Sequence, residues 1–182
     1  MITHLLSPVG VAALVFSAIP LLTGEGIGAG LVALSIFVLL PVALVKRVRK
    51  VWAIEDIYDP GPQMRARILA LGNIVYLIGF IALKMIESGP IMLWSAASFL
   101  SGGVLVWVIS RYWKISIHAV GVSGGAVILL VAGGADLWPV VLAPLAVGWA
   151  RLRSGAHTTG QLVAGSVLGA GVSGGLLPLF AA

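Results

Sequence analysis

His157 lies in the stretch ARLRSGAHTTGQ, residues 150–161, with Arg151 and Arg153 before it and Gln161 four residues after it. A second histidine, His118, lies in WKISIHAV, with Lys114 four residues and Ser116 two residues before it. Imidazole gives and takes protons near neutral pH, and a free ring nitrogen is a nucleophile. Lysine and arginine beside it supply positive charge and N–H donors suited to phosphate oxygens. At helical spacing Gln161 stands over His157, where its amide oxygen could accept an imidazole N–H and fix the tautomer that leaves the other nitrogen free. Residue types and spacing therefore suit the handling of a phosphate group. The plainer alternative is two interfacial histidines in solvated loops, which is also how His4, beside the N-terminus, reads.

The elements that must hold these residues are apolar. Hydrophobic residues make up 60% of the 182, and charged residues only 9%, against about 25% in a soluble domain. Mean hydropathy is +1.13. The chain reads as a single integral membrane domain over 1–182, all-α, because its apolar runs are continuous and lack the alternation of barrel strands. Cysteine is absent, which excludes disulfides, thiolate metal sites and a cysteine nucleophile. MITHLLSPVG has neither the basic start nor the cleavage site of a signal peptide, so the first apolar run reads as a retained span.

Seven apolar segments run over about 5–22, 28–45, 68–86, 90–109, 116–133, 136–150 and 160–180. A span needs roughly 20 residues and at least roughly 17. The sixth, with Pro139 and Pro144, is marginal, and the bundle would have six helices if it or the first did not cross. With seven crossings, ten of the eleven Lys and Arg share one side; Lys84 alone lies opposite. The positive-inside rule then makes that side cytoplasmic, with the N-terminus on it; the resemblance described below adds the expectation of a prokaryotic cell membrane. Net charge +5 fits orientation and anionic headgroups; no basic-aromatic surface of useful size suggests nucleic acid. Gly121 with Gly125, Gly165 with Gly169 and Gly171 with Gly175 have the spacing that lets helix backbones approach closely in lipid. They predict tight packing of the fifth and seventh helices.

His118 and His157 both fall at the basic-side start of a span, so the positive ends of two helix dipoles point at them. RLRSGAHTTGQ resembles the last signature, SRxxxxxHxxxD, of the type 2 phosphatidic acid phosphatase (PAP2) superfamily, with Arg151, His157 and Gln161 in register. ISIHA, residues 115–119, resembles its middle signature, PSGH, through Ser116 and His118. The order of signatures and helices is also kept, and QLVAGSVLG resembles the helix after the last signature; the resemblance covers about 110–175. It implies a membrane-embedded lipid phosphatase acting on a prenyl (di)phosphate or phosphatidate-like substrate, with membrane lipids as surroundings. His157 would be the nucleophile, forming a phosphohistidine, and His118 would protonate the leaving alkoxide and then activate water. Arg151 and Ser116 would hold phosphoryl oxygens, and neither a metal nor another cofactor is implied. Ala150 stands where the signature has serine, Ile115 and Ile117 where it has proline and glycine, and Gln161 where it has aspartate. The first signature, KxxxxxxRP, has no match, and Arg65, Arg67 and Lys114 are the nearest substitutes for its cations.

Two other readings belong beside this one. A non-catalytic relative would keep the cations to bind or translocate anionic lipids. A small transporter or structural subunit would have no phosphate site, but the spans carry almost no ionisable residue for an ion path. Glu55, Asp56 and Asp59 in EDIYD could bind Mg²⁺ and through it a diphosphate; as a solvated loop they would balance Lys46 to Lys50.

Overall fold

The computed structural model describes residues 6–54 and 61–180; His4 and the acidic group Glu55, Asp56 and Asp59 lie outside them. Among the described residues the secondary structure is all helical, in seven successive rods. These are α1 (Pro8–Thr23), α2 (Ile27–Val51), α3 (Pro62–Met85), α4 (Pro90–Ile109), α5 (Ile117–Gly133), α6 (Ala135–Arg153) and α7 (Thr159–Leu179). They correspond one to one with the seven apolar segments. Five of them, α2, α3, α4, α6 and α7, are long and apolar enough to cross a membrane, and the chain is an integral membrane helix bundle.

Of the two shorter apolar helices, α5 is the interior one, while α1 buries one face. Val15, Phe16 and Ile19 of α1 are fully buried, as are most residues of α5 between Ala119 and Leu129. At 1.5 Å per residue the 16 residues of α1 and 17 of α5 reach only roughly 24 and 26 Å. Protein covers most of α5, so its shortfall against a hydrocarbon core of roughly 30 Å exposes little, whereas α1 keeps an outward face at Leu14, Leu21 and Leu22. α6 is peripheral: Trp138, Leu145 and Trp149 are exposed and only Val147 is buried.

The marginal sixth segment reaches spanning length by a specific device. Its first half, Ala135–Leu142, is a 3₁₀ helix containing Pro139, and its second half, Ala143–Arg153, is α-helical. A 3₁₀ helix rises about 2.0 Å per residue, so the eight and eleven residues together span roughly 32 Å. Trp138 and Trp149 mark its two ends, as interfacial aromatics do.

α5 and α7 share the most extensive helix contact, and glycine makes it possible. A Cβ on Gly165 would lie 2.8 Å from the Ser116 carbonyl oxygen, and one on Gly169 would overlap the Val120 carbonyl. The expectation of close packing holds for this pair, but the other glycines divide differently. Gly124 faces α7, whereas Gly121 and Gly125 face Pro8 and Val11 of α1. Gly171 and Gly175 meet no neighbour within 4 Å, because they sit on the face of α7 turned away from α5.

Elsewhere the core is closed by aromatic rings and a few polar ties. Phe16, Phe37, Tyr76 and Phe99 form one cluster from α1 to α4, with Phe16 and Phe37 centroids 4.7 Å apart and Phe37 stacked on Tyr76 at 5.1 Å. Phe37 lies in a π-helical turn, Ser35–Leu39, just before Pro41; proline removes an intrahelical bond there and the wider turn accommodates it. The Trp94 Nε1–H donates to the Ser173 carbonyl at 2.9 Å in a fully buried contact between α4 and α7.

Glu25, in the turn between α1 and α2, has a part its loop position did not suggest. Its two carboxylate oxygens accept from the Ile91 and Met92 N–H groups at 2.9 and 3.0 Å. It thus caps the N-terminus of α4 from another element, where a negative charge meets the positive end of the helix dipole. Gly89 leaves room for it, since a Cβ there would collide with the Glu25 side chain. Glu25→Ala should lower thermal stability in detergent by about 1–3 kcal/mol through the loss of two charge-assisted bonds. Unchanged unfolding beside wild type would show that this cap is energetically idle.

Candidate functional site

The lead-in to α5 fixes the first half of the site. Ser116 is the N-cap of α5: its backbone is extended, and its Oγ accepts from the Ala119 N–H at 3.4 Å. Ile115 and Ser116 are fully buried. His118 follows as the second helical residue and is half-buried, as is Lys114. The free N–H groups of a first helical turn are suited to an anion.

The last turn of α6 and the start of α7 fix the second half. The Ala156 N–H donates to the Arg151 carbonyl at 3.2 Å and Gly155 adopts φ +65°. This is the glycine-terminated helix stop that reverses the chain with a left-handed residue. Two residues later His157 is buried, 9% exposed, immediately before Thr158, the N-cap of α7. The chain therefore brings Arg151, at the end of one helix, and His157, at the start of the next, to the same end of the bundle.

One backbone bond joins the two halves. The Ser116 N–H donates to the Gln161 carbonyl at 3.3 Å, so the N-termini of α5 and α7 touch. This is possible only because α6 crosses between them, placing His118 and His157 at the same face. α3 is tied in by Arg65, whose Nη2 donates to the Ile115 carbonyl at 2.6 Å.

These contacts separate cations that the sequence left equivalent. Arg65 is half-buried and reaches the α5 lead-in, whereas Arg67 is exposed. Arg151 is half-buried, whereas Arg153 is exposed with its guanidinium 5.6 Å from the Trp149 ring centroid. Arg111 likewise lies over Trp107 at 4.0 Å. Arg65, Lys114, Ser116, His118, Arg151 and His157 thus belong to one end of the bundle, with Arg67, Arg111 and Arg153 at its exposed rim.

Gln161 has a backbone role that was not expected of it. Its Oε1 accepts from the Thr158 N–H at 3.0 Å, and the Thr158 Oγ1 accepts from the Gln161 N–H at 3.4 Å. This is a reciprocal capping box, T-x-x-Q, legible in the sequence as Thr158 and Gln161. The same amide that was expected to orient the imidazole holds the first turn of α7, and through it the backbone just after His157.

A cavity of about 190 Å³ lies inside the bundle. Ile117, between Ser116 and His118, lines it together with Ile68 of α3, while Lys114, Ser116, His118, Arg151 and His157 do not. Its walls come from α1, α2, α3, α4, α5 and α7 and are mostly apolar, with Asn73, Tyr76, Ser98 and Ser173 as polar members. Asn73 escaped notice in the sequence, although a lone amide inside an apolar segment is a visible signal. Among the described residues no three His, Cys, Asp or Glu side chains gather as a metal site. Comparison of the chain with protein-family models, curated proteins and solved structures gives no match.

Proposed function

We propose that the protein is a membrane-embedded lipid phosphatase of the type 2 phosphatidic acid phosphatase kind. One observation carries the reading: a buried histidine lies where two helix N-termini meet, at the same end of the bundle as half-buried cations, and Ile117 beside His118 lines an apolar cavity. Positive charge and free N–H groups suit a phosphate, and the cavity suits the start of a hydrocarbon chain. The resemblance of 110–175 to the superfamily supplies the chemistry.

In that chemistry the His157 ring nitrogen attacks phosphorus as the P–O bond to the lipid breaks. His118 gives its proton to the departing alkoxide, which leaves as the lipid alcohol. His118 then takes a proton from water as that water attacks phosphorus, the P–N bond breaks, and phosphate leaves. Ser116, Arg151 and Lys114 hold the phosphoryl oxygens, where negative charge must be stabilised. Arg65, bound to the Ile115 carbonyl, is a positioning residue for the α5 lead-in. With ten cations at the same end of the bundle, the site faces the cytoplasm.

A second reading, binding or translocation of anionic lipids without turnover, is favoured by one observation. The Gln161 oxygen that would orient the nucleophile is engaged by the Thr158 N–H, and a neutral amide does not stabilise an imidazolium as a carboxylate would. The test is phosphate release by detergent-purified protein, with EDTA present, from phosphatidate and from prenyl mono- and diphosphates. Release is expected; silence with phosphatidate binding intact would select the second reading.

A further inference from the structure

We propose that the pairs Trp107–Arg111 and Trp149–Arg153 are two rim sites for the headgroup phosphate of an anionic membrane phospholipid. They lie outside the phosphate position assigned above, and they stand whether or not that position turns over a substrate.

The first observation is that the same device occurs twice. A tryptophan and an arginine four residues apart close α4, as Trp107 and Arg111, and close α6, as Trp149 and Arg153. In each pair the guanidinium lies over the indole, 4.0 Å from the ring centroid for Arg111 and 5.6 Å for Arg153. Both distances are within cation–π range. Each helix then leads into one half of the site, α4 into Lys114–His118 and α6 into the turn before His157. The pairs themselves face outward. Arg111 and Arg153 are exposed, Trp149 is exposed and Trp107 is half-buried, whereas Arg65 and Arg151 are the half-buried cations.

The second observation is charge. Stacking occupies one face of the guanidinium and leaves its in-plane N–H fork open, the geometry that takes two phosphate oxygens. Among the described residues no carboxylate competes for that fork, because Glu25, Glu87 and Asp136 all lie at the other end of the bundle. A cation that only complemented a helix C-terminus would need no ring beneath it.

The third is depth. In each pair the tryptophan lies one turn, roughly 6 Å, deeper along the helix than the arginine. Indole settles at the headgroup boundary of a membrane, so the guanidinium stands among the phosphates. Tyr112, which is 87% exposed, and Trp113 continue the same rim beside Arg111. The two ends of α6 differ in the expected way. Trp138 has Asp136 two residues before it and no Lys or Arg within four residues, whereas Trp149 has Arg153. A ring alone anchors one end; the ring with a cation belongs to the basic end, which anionic lipid approaches.

The test is native mass spectrometry of the full chain in detergent, with phosphatidylglycerol or phosphatidylcholine added. Phosphatidylglycerol is a phosphodiester, so a phosphomonoesterase would leave it intact. Wild type should hold two phosphatidylglycerol molecules on the order of tenfold more tightly than phosphatidylcholine, the scale of one or two cations at an anionic surface. Arg111→Gln and Arg153→Gln should each remove one of them. Arg153→Lys, which keeps the charge and loses the planar fork, and Trp149→Leu, which loses the ring, should each weaken the α6 site severalfold. Lys46→Gln combined with Lys50→Gln neutralises two exposed cations of α2 and should leave both lipids bound. All these positions are exposed, so the variants should unfold like wild type, which a thermal scan checks. Equal binding of the two lipids overturns the proposal, and so does an equal loss in the Lys46 and Lys50 variant, which would make the attraction one of overall charge. Unweakened binding in Arg153→Lys and Trp149→Leu overturns it too, since ring and fork would then be idle. Displacement of the lipid by added inorganic phosphate would make the pairs readers of a free anion and end the assignment to a headgroup.

Discussion

Phosphate release is expected to disappear in His157→Ala and to fall about 10²–10⁴-fold in His118→Ala, the usual scale for loss of a general acid–base group. The two losses have different origins. Removing His157 removes the atom that bonds to phosphorus, so no phosphoenzyme forms. Removing His118 leaves the nucleophile but no proton donor for the alkoxide, so a substrate with a better leaving group, such as p-nitrophenyl phosphate, should regain much of its rate. Rapid acid quench with radiolabelled lipid phosphate should detect an acid-labile protein-bound phosphate in wild type and none in His157→Ala. Full activity in His157→Ala would end the assignment of the nucleophile. Equal, leaving-group-independent losses in both variants would mean that the histidines hold structure and not chemistry.

The second large effect concerns the contact that brings the halves of the site together. Gly169→Ala is expected to destabilise the protein by about 1–3 kcal/mol despite alanine's better helix propensity. The new methyl would overlap the Val120 carbonyl, with the Val120 Cα and carbonyl carbon both at 2.9 Å. Those are backbone atoms, which no rotamer change relieves, so α5 and α7 must separate. Separation stretches the Ser116–Gln161 bond, and phosphate release should fall with stability even though Gly169 is far from the phosphate. Gly171→Ala is the control, since that position meets nothing within 4 Å; it should unfold like wild type or up to about 1 kcal/mol later. Thermal unfolding of the pair in one detergent decides the matter, and equal unfolding of both variants would show that close approach is not what holds the helices.

The comparison of Gly169 with Gly171 marks where sequence reasoning stops. Both belong to glycine pairs of the same spacing on the same helix, yet one faces a backbone carbonyl and the other faces away. Periodicity along a chain tells that a face is smooth; which neighbour that face meets depends on the other helices. The cations follow the same logic. Arg65 and Arg67, like Arg151 and Arg153, differ by two residues and so by about 200° around a helix. Only the direction of the bundle distinguishes the half-buried member from the exposed one.

The sequence by itself determined the seven helices, the gathering of basic residues at one end and the common face of His118 and His157. These follow from hydropathy, length and charge, which act residue by residue and need no partner. It also carried, unnoticed, the capping box of Thr158 and Gln161 and the lone amide Asn73. Only the tertiary structure decided that α5 is the interior helix and that Glu25 caps α4. The same holds for the reach of Arg65 to Ile115 and for the apolar cavity inside the bundle. Each of these joins residues far apart in the chain, and such contacts are set by how helices pack rather than by what any one segment prefers.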